Sequence, residues 1–510
     1  MLPLQIQPAS RIPIYAQLRD QVRALVQLGQ LQPGDRIPPS RELAGRLGIH
    51  RTTVANAYAE LEAEGLIRGH VGRGTFICGE PSSLPAHVVS PPQAGAAGPL
   101  RWDGLFADDR VEETLDRLLP GSSPKGVSFT VARPPEAWFP LDEFRRCCNA
   151  VLRRHGREIL QLGATDGYPP LREELGRWLR SDGIVGPRDQ LLITDGCQQG
   201  LDLLARVFLR PGDTVLLENP TYPGALAALS SRHVRAIGAA VRPGAGVDPD
   251  AVAFALERNR VKLIVLMPDF QNPTGTTLSL EDRRRVLELA ERHRVPVVED
   301  HIYARLRLRG QPIASLKALD RAGLVIQIDS FSKLAFPGLR VGWCVAPEAV
   351  AGRLRLAKQA ADLHTSQLAQ AAAAEFIRRG CLDRHLARMR RVYRRRLEAM
   401  EQALRRHMPG EVSWSAPDGG MCVWATLPPG MDSVELLARA RERGVVFAPG
   451  RLFDLDGAAP NTLRLGFAEL DERNIARGVG VLGELVRNEC RRSRRRAAGH
   501  TERAAALTLV

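Results

Sequence analysis

The sequence predicts an α/β protein in which a small helix-turn-helix head precedes a large body, and three observations carry the prediction. Between residues 191 and 345, seven short apolar runs alternate with helical stretches, the pattern of a mostly parallel sheet covered on both faces. Ahead of them, two short helical stretches meet at Gly48-Ile49-His50 and lead into two β-type runs divided by glycines. Between these regions residues 81–99 are rich in Pro, Ala, Gly and Ser and have no period, which is linker composition. At 510 residues the chain exceeds one ordinary core, so two or three domains are expected.

In the head, Ile14, Leu18, Val22 and Leu25 recur at helical spacing, so an amphipathic helix runs from Pro13 to Leu28 and stops at Gly29. Gln32-Pro33-Gly34-Asp35 is turn chemistry. Ser40 is a good N-cap for a second helix over Arg41 to Leu47, with Glu42 in its first turn and Gly48 at its end. A third helix covers Arg51 to Glu64 and stops at Gly65. Leu66-Ile67-Arg68 and Thr75-Phe76-Ile77 then flank Gly69 to Gly74, a hairpin of the kind called a wing. The head therefore spans 1–78 and the linker 79–100.

In the body the apolar runs are Leu191 to Thr194, Thr214 to Leu217, Arg235 to Gly238, Leu263 to Met267, Val295 to Val298, Leu324 to Ile328 and Val341 to Val345. Ligands of such sheets sit at the strand carboxyl ends. There, Ser330-Phe331-Ser332-Lys333 follows the sixth run, and Arg340 comes seven residues after Lys333. Only five of the 71 basic residues are lysines, so a primary amine is scarce where it would do imine chemistry. Amine, hydroxyls and guanidinium together suit pyridoxal phosphate, whose aldehyde needs a lysine and whose phosphate needs donors; the plain alternative is a surface lysine beside a turn. Thr194 to Gly200 joins the first strand to a helix, and its amides form a phosphate seat. Tyr222 follows the second strand and either stacks on a flat heteroaromatic or fills the core. Asp300 ends the fifth, as a site carboxylate, a helix cap or an ion-pair partner. Arg464 stands in the apolar run Asn461 to Phe467 and needs an anion. Met421 to Leu427 and a helix over Ser433 to Arg443 complete a smaller C-terminal α+β domain.

The net charge of +14 is uneven. Residues 1–78 hold nine arginines against six acids, residues 383–406 nine against three, and residues 487–510 seven against two. A basic chain suits a polyanionic partner, but Arg390-Arg391 and Arg394 to Arg396 read as the solvated face of a long helix. The tail 488–510 is Arg-rich and aperiodic, hence expected to be disordered. Eight scattered cysteines have no metal-type spacing and read as reduced and structural, so no metal is expected. No apolar run nears the roughly 18 residues of a membrane span, and the first residues lack an export pattern, so a cytoplasmic protein is expected.

These residues also carry a resemblance. The run Ser330 to Arg340 resembles the lysine motif of aminotransferases with the PLP-dependent transferase fold type I, and the match extends over most of residues 125–480. Pro38-Pro39-Ser40-Arg41-Glu42-Leu43-Ala44, with Val54, Tyr58, Leu61 and Gly65-Leu66-Ile67, resembles the GntR-type winged helix. The combination resembles the MocR-type transcriptional regulators, in which such a head is fused to an aminotransferase-like domain, here 101–487. The resemblance implies that Lys333 holds pyridoxal 5'-phosphate as a Schiff base. It gives the phosphate to Gly196, Cys197, Gln198, Ser330, Ser332 and Arg340, with Cys197 standing where the family more often has Ala or Ser. Tyr222 lies on the ring, Asp300 keeps the ring nitrogen protonated, and Asn272 and Tyr303 share the phenolate oxygen. Tyr168, in Gly167 to Arg172, reaches the phosphate of a neighbouring subunit, which implies a homodimer. Arg464 clamps the carboxylate of an amino-compound effector or substrate, and Pro134 to Pro140 lies near that molecule. In the head, Ser40, Arg41, Arg51, Thr52 and Thr53 lie on or near the groove-facing edge and Arg73 lies in the wing, for double-stranded DNA. The implied function is a DNA-binding regulator that senses the cofactor or an amino compound. Two alternatives stay open: a working aminotransferase with an appended DNA-binding domain, and a DNA binder with an inert body.

Overall fold

A computed structural model describes residues 4, 6, 13–27, 30–32, 34–63, 66–70, 74–78, 126–184, 186, 189–457 and 459–507. The chain forms two compact units, Met1–Phe106 and Ala107–Val510. The expected linker over 79–100 and Arg73 in the wing lie outside the described residues.

In the first unit three helices, α1 (Ile14–Gln27), α2 (Ser40–Leu47) and α3 (Arg51–Ala63), pack with strands β1 (Arg36–Ile37), β2 (Ile67–His70) and β3 (Gly74–Ile77). The strands form one antiparallel sheet in the order β1-β3-β2. The helical spacing of Leu18, Val22, Val54 and Leu61 places all four in a core closed by Ile37, Ile67 and Ile77. The α2–α3 turn works because Gly48 takes φ 65 and returns its amide to Ala44 O. Ser40 is the first helical residue and not the cap: Pro39 occupies the cap position, and no side chain caps the helix. The Tyr58 hydroxyl donates to Pro38 O at 2.7 Å, tying α3 to the start of α2. Strand β1 was not expected, since two residues carry no period.

The first described strand of the second unit is β4 (Val127–Ser128), and the unit is built on an eight-stranded sheet: β5 (Asp189–Thr194), β6 (Thr214–Asn219), β7 (Arg235–Arg242), β8 (Gly246–Val247), β9 (Val261–Leu266), β10 (Val297–Asp300), β11 (Val325–Ser330) and β12 (Gly342–Pro347). The order is β5-β12-β11-β10-β9-β6-β7-β8, with β12 antiparallel to both neighbours, β8 antiparallel to β7, and the rest parallel. All seven expected strands are present, and β8 is added at one edge. Helices on both faces explain why β10 and β11 are buried at every residue. Val215 and Leu217 pack into one layer with Leu201 and Leu354, while Leu216 between them packs into the other with Val252 and Val286.

The smaller C-terminal part carries β13 (Ser413–Trp414), β14 (Cys422–Thr426), β15 (Val445–Val446), β16 (Ala448–Pro449) and β17 (Thr462–Gly466). Four of these form the sheet β13-β14-β17-β16, and β15 pairs with β4. The 27-residue helix Cys381–His407 joins it to the body. That helix corrects the expected solvated arginine face. Arg391, Arg394 and Arg395 are exposed, whereas Arg396 is buried and bonded to Ala468 O, and Arg390 is half-buried and donates to Arg305 O at 2.8 Å. The tail is corrected too: the last helix runs from Glu472 to Leu507 through the expected boundary at 487. Its base is docked by buried Leu482 and Val486 and by the Arg439–Glu489 pair. Arg and Ala then propagate the helix, because adding a residue to a formed turn is easier than starting one. Among the described residues no helix is long and apolar enough to cross a membrane, and no group of three or more His, Cys, Asp or Glu is placed to hold a metal.

Candidate functional site

The carboxyl ends of the parallel strands open into a cavity of about 370 Å³ lined by Cys197, Gln198, Tyr222, Asn272, Asp300, Tyr303, Ser332, Lys333, Arg340 and Arg464. Each reaches it because a strand ends nearby: β5 before Gly196, β6 before Tyr222, β9 before Asn272, β10 at Asp300 and β11 before Lys333.

One end of the cavity is built for an anion. Gly196 has φ 88 and leads into the helix Cys197–Phe208, whose first amides have no partner within the helix. A side chain at Gly196 would place its Cβ 2.7 Å from Arg340 Nη2, so glycine lets the guanidinium close over the helix start. Arg340 donates to Asp195 O at 2.8 Å and to the Ser332 hydroxyl at 3.3 Å, and has no carboxylate partner among the described residues. Ser330, the last residue of β11, is fully buried, and its hydroxyl bonds Ser332 Oγ at 2.9 Å and Val341 O at 3.1 Å. Ser332 alone lines the cavity, and Ser330 holds it in place. The Cys197 thiol is buried, and burial pushes its pKa far up, which leaves it neutral.

The middle of the cavity holds an amine and a carboxylate. Lys333 Nζ donates to Ala132 O at 2.7 Å. Burial, reinforced by the Arg464 cation, lowers its pKa from 10.5 to about 8. Asp300 is buried and accepts the Ile302 amide at 3.2 Å, a local turn bond and not a helix cap, since the next helical turn begins only at Ala304. No cation lies within ion-pair distance of it among the described residues, and burial, with Asp329 nearby, raises its pKa from 3.8 to about 7. Tyr222 is half-buried with its ring packed against Gly224, where a Cβ would meet the ring at 2.4 Å. The Gly224 carbonyl also accepts the Gln198 side chain at 2.8 Å. Tyr303 is buried, and burial raises its hydroxyl pKa.

At the far end Arg464 is buried in β17. It donates to Asn272 Oδ1 at 2.8 Å and Thr130 O at 2.5 Å, and its Nε has no partner among the described residues. With its oxygen so engaged, Asn272 keeps its Nδ2 to donate elsewhere. No carboxylate balances Arg464 among the described residues, a costly arrangement for a buried cation unless an anion joins it.

Tyr168 does not reach this cavity in its own chain. It is buried beside Arg154, His155 and Glu375 at a separate cavity of about 170 Å³, with its amide bonded to Gln370 Oε1 at 2.7 Å. Sequence reasoning missed the carbonyls of Thr130, Ala132 and Asp195, which carry no side-chain signal, and missed Gly224, whose place two residues after Tyr222 was the available clue. In the head, Arg41, Arg51 and Thr52 are exposed, Ser40 and Thr53 are half-buried, and His50 Nδ1 bonds the Thr52 hydroxyl at 2.7 Å. Neither arginine has an ion-pair partner among the described residues.

Comparison with known proteins follows the same division. Residues 139–482 match the aminotransferase class I and II family, and residues 14–77 match the bacterial regulatory proteins of the gntR family. The 2-aminoadipate transaminase of Thermus thermophilus is 40% identical over 76% of this chain and 98% of its own. The probable rhizopine catabolism regulatory protein MocR of Rhizobium meliloti is 30% identical over 92% of this chain and 93% of its own. The solved multiple substrate aminotransferase of Thermococcus profundus is 34% identical, with a TM-score of 0.74, over 77% of this chain and all of its own.

The buried carboxyl gives a stability test. The Asp300 pKa is higher folded than unfolded, so the folded chain loses stability as pH rises from about 4 to about 7, and the penalty is complete above that. At roughly 1.4 kcal/mol per tenfold change in proton affinity, it reaches on the order of 4 kcal/mol. Asp300→Asn removes the titration. In urea unfolding of the cofactor-free chain, the variant is expected to exceed the parent at pH 8, with the gap shrinking toward pH 5. An equal gap at both pH values contradicts this reading.

Proposed function

The chain belongs to the aminotransferase class I and II family and carries a gntR-family head, as MocR-type regulators do, and from this we propose that it is a cytoplasmic DNA-binding transcriptional regulator whose body binds pyridoxal 5'-phosphate and responds to that cofactor or to an amino compound. The observation that carries the cofactor reading is the cavity's charge pattern among the described residues: a buried carboxyl without an ion-pair cation, a lysine whose pKa is lowered to about 8, and two arginines without a carboxylate. Pyridoxal phosphate fits each in turn. Asp300 would pair with its ring nitrogen, Arg340, Ser332 and the amides of Cys197 and Gln198 would hold its phosphate, and Tyr222 would pack on its ring. Asn272 Nδ2 and the Tyr303 hydroxyl are the donors for its ring oxygen, and Lys333 is the amine for its aldehyde. When bound, the cofactor supplies an electron-withdrawing ring. Arg464 is left for the carboxylate of an amino compound. A homodimer, in which Tyr168 serves the neighbouring subunit, belongs to the same reading.

In the head, Arg41 and Arg51 stand in the first turns of α2 and α3 with no ion-pair partner among the described residues, suited to phosphates or base edges. The ligand acts as a regulator only if it binds two states of the chain unequally. A mobility-shift assay on the intergenic DNA beside the protein's own gene tests this. Retardation is expected, changed by added pyridoxal phosphate, and weakened about tenfold by Arg41→Ala or Arg51→Ala. No shift with or without cofactor refutes the regulator.

A second reading, an active aminotransferase that also carries a DNA-binding head, is favoured by the full set Lys333, Asp300, Tyr303, Asn272, Arg340 and Arg464 in one cavity. Single-turnover mixing of the cofactor-loaded chain with a panel of amino acids separates the two. The regulator predicts spectral change without keto-acid release on the timescale of seconds, whereas release at about 1 s⁻¹ or faster establishes the enzyme.

A further inference from the structure

We propose that the body holds a second ligand site, for a small organic dianion, in a cavity of about 440 Å³ on the other side of β10 from Asp300. His301, the residue after Asp300, turns to this side, as alternation along an extended segment requires. The cavity has the size of ligand pockets in general.

Its lining is basic. Arg305, Arg307 and Arg390 line it together with the carboxylates Asp182 and Asp269. Asp269 is already held at 2.9 Å by the fully buried Arg283, so Arg307, at 3.1 Å, shares a carboxylate that has its counter-ion. Four guanidiniums thus face two carboxylates. Asp182 lies 2.6 Å from Arg305 Nη2, but Arg305 Nε is buried with no hydrogen-bond partner among the described residues. Arg390 is half-buried, and its only bond among the described residues is from Nε to Arg305 O at 2.8 Å. Burial and the Arg305 cation lower its pKa, offset in part by Asp383, exposed two turns back on the same helix. His301 adds no uncompensated charge, because Asp329 holds its Nδ1 at 3.5 Å.

Two of the three arginines are also set in place before any ligand arrives. Arg305 lies over the Trp178 ring at 3.5 Å and Arg307 over Phe270 at 4.8 Å. Packing of this kind fixes the plane of a guanidinium and leaves its forked edge to meet an oxyanion. Like charges collected at a half-buried place cost stability unless an anion neutralises them. Phosphate esters and dicarboxylates share the chemistry required: two negative charges on a compact head that accepts forked hydrogen bonds. The cavity and the cofactor site share their walls. The loop 269–272 gives Asp269 to one and Asn272 to the other, and β10 leads to Asp300 in one and His301 in the other.

The test is calorimetric titration of the full chain, saturated with pyridoxal phosphate in a phosphate-free buffer, with inorganic pyrophosphate and separately with succinate. At least one of the two is expected to bind at one site per chain, and the tighter distinguishes phosphate from carboxylate recognition. Arg390→Gln and Arg307→Gln are each expected to weaken it about tenfold or more. Arg340→Ala, which alters the cofactor's phosphate seat, is expected to leave it in place even if that seat proves empty. Arg390→Gln gives up only a bond to a backbone carbonyl, so it carries the test should Arg307→Gln fail to fold. No binding of either anion, binding lost only with Arg340→Ala, or binding undiminished in Arg390→Gln overturns the proposal.

Discussion

A carboxylate and an amine are buried in one cavity without neutralising each other, and the rest of the body is arranged around that constraint. Asp300 and Lys333 form no ion pair, and each is shifted toward its uncharged form by burial. A chain that gained nothing from this would be better served by an ion pair or an apolar pair of the same volume. The sheet makes the arrangement possible: β10 and β11 are parallel neighbours, so their carboxyl ends deliver Asp300 and the Ser330–Lys333 turn to the same side. Glycines at 196 and 224 clear room for Arg340 and for the Tyr222 ring.

Much of this was legible in the sequence because the governing patterns are local. Apolar runs buried on both faces announced seven strands, and chemistry-bearing residues directly after them announced the cavity. The missed features lack a periodic or side-chain signature. Strand β1 and strand β8 are two residues each, and the carbonyls that hold Lys333, Arg340 and Arg464 belong to residues whose side chains say nothing about them. Ser330 and Ser332 were indistinguishable as hydroxyls near a lysine. Only the end of β11 decides that one supports and the other lines the cavity.

The arginines show where charge counting misleads. A run such as Arg394 to Arg396 looks uniform, yet one helix turns its members to different environments, so Arg396 is buried against Ala468 while its neighbours are solvated. The tail was misjudged for a related reason. Arg-rich composition suggested disorder, but arginine is a good helix former and the docked base at Leu482 and Val486 provides the nucleus. The end of β10 has the widest consequence: its last residue, Asp300, and the next, His301, line two different cavities, which puts both within reach of one strand.

The central claim is that this buried pair exists for pyridoxal phosphate. It is tested most directly by incubating the full chain with that aldehyde, reducing with borohydride and mapping peptide masses. The account predicts added mass confined to the peptide that contains Lys333 and absent from Lys333→Ala. Unlabelled Lys333, or label spread equally over the other four lysines, would contradict it.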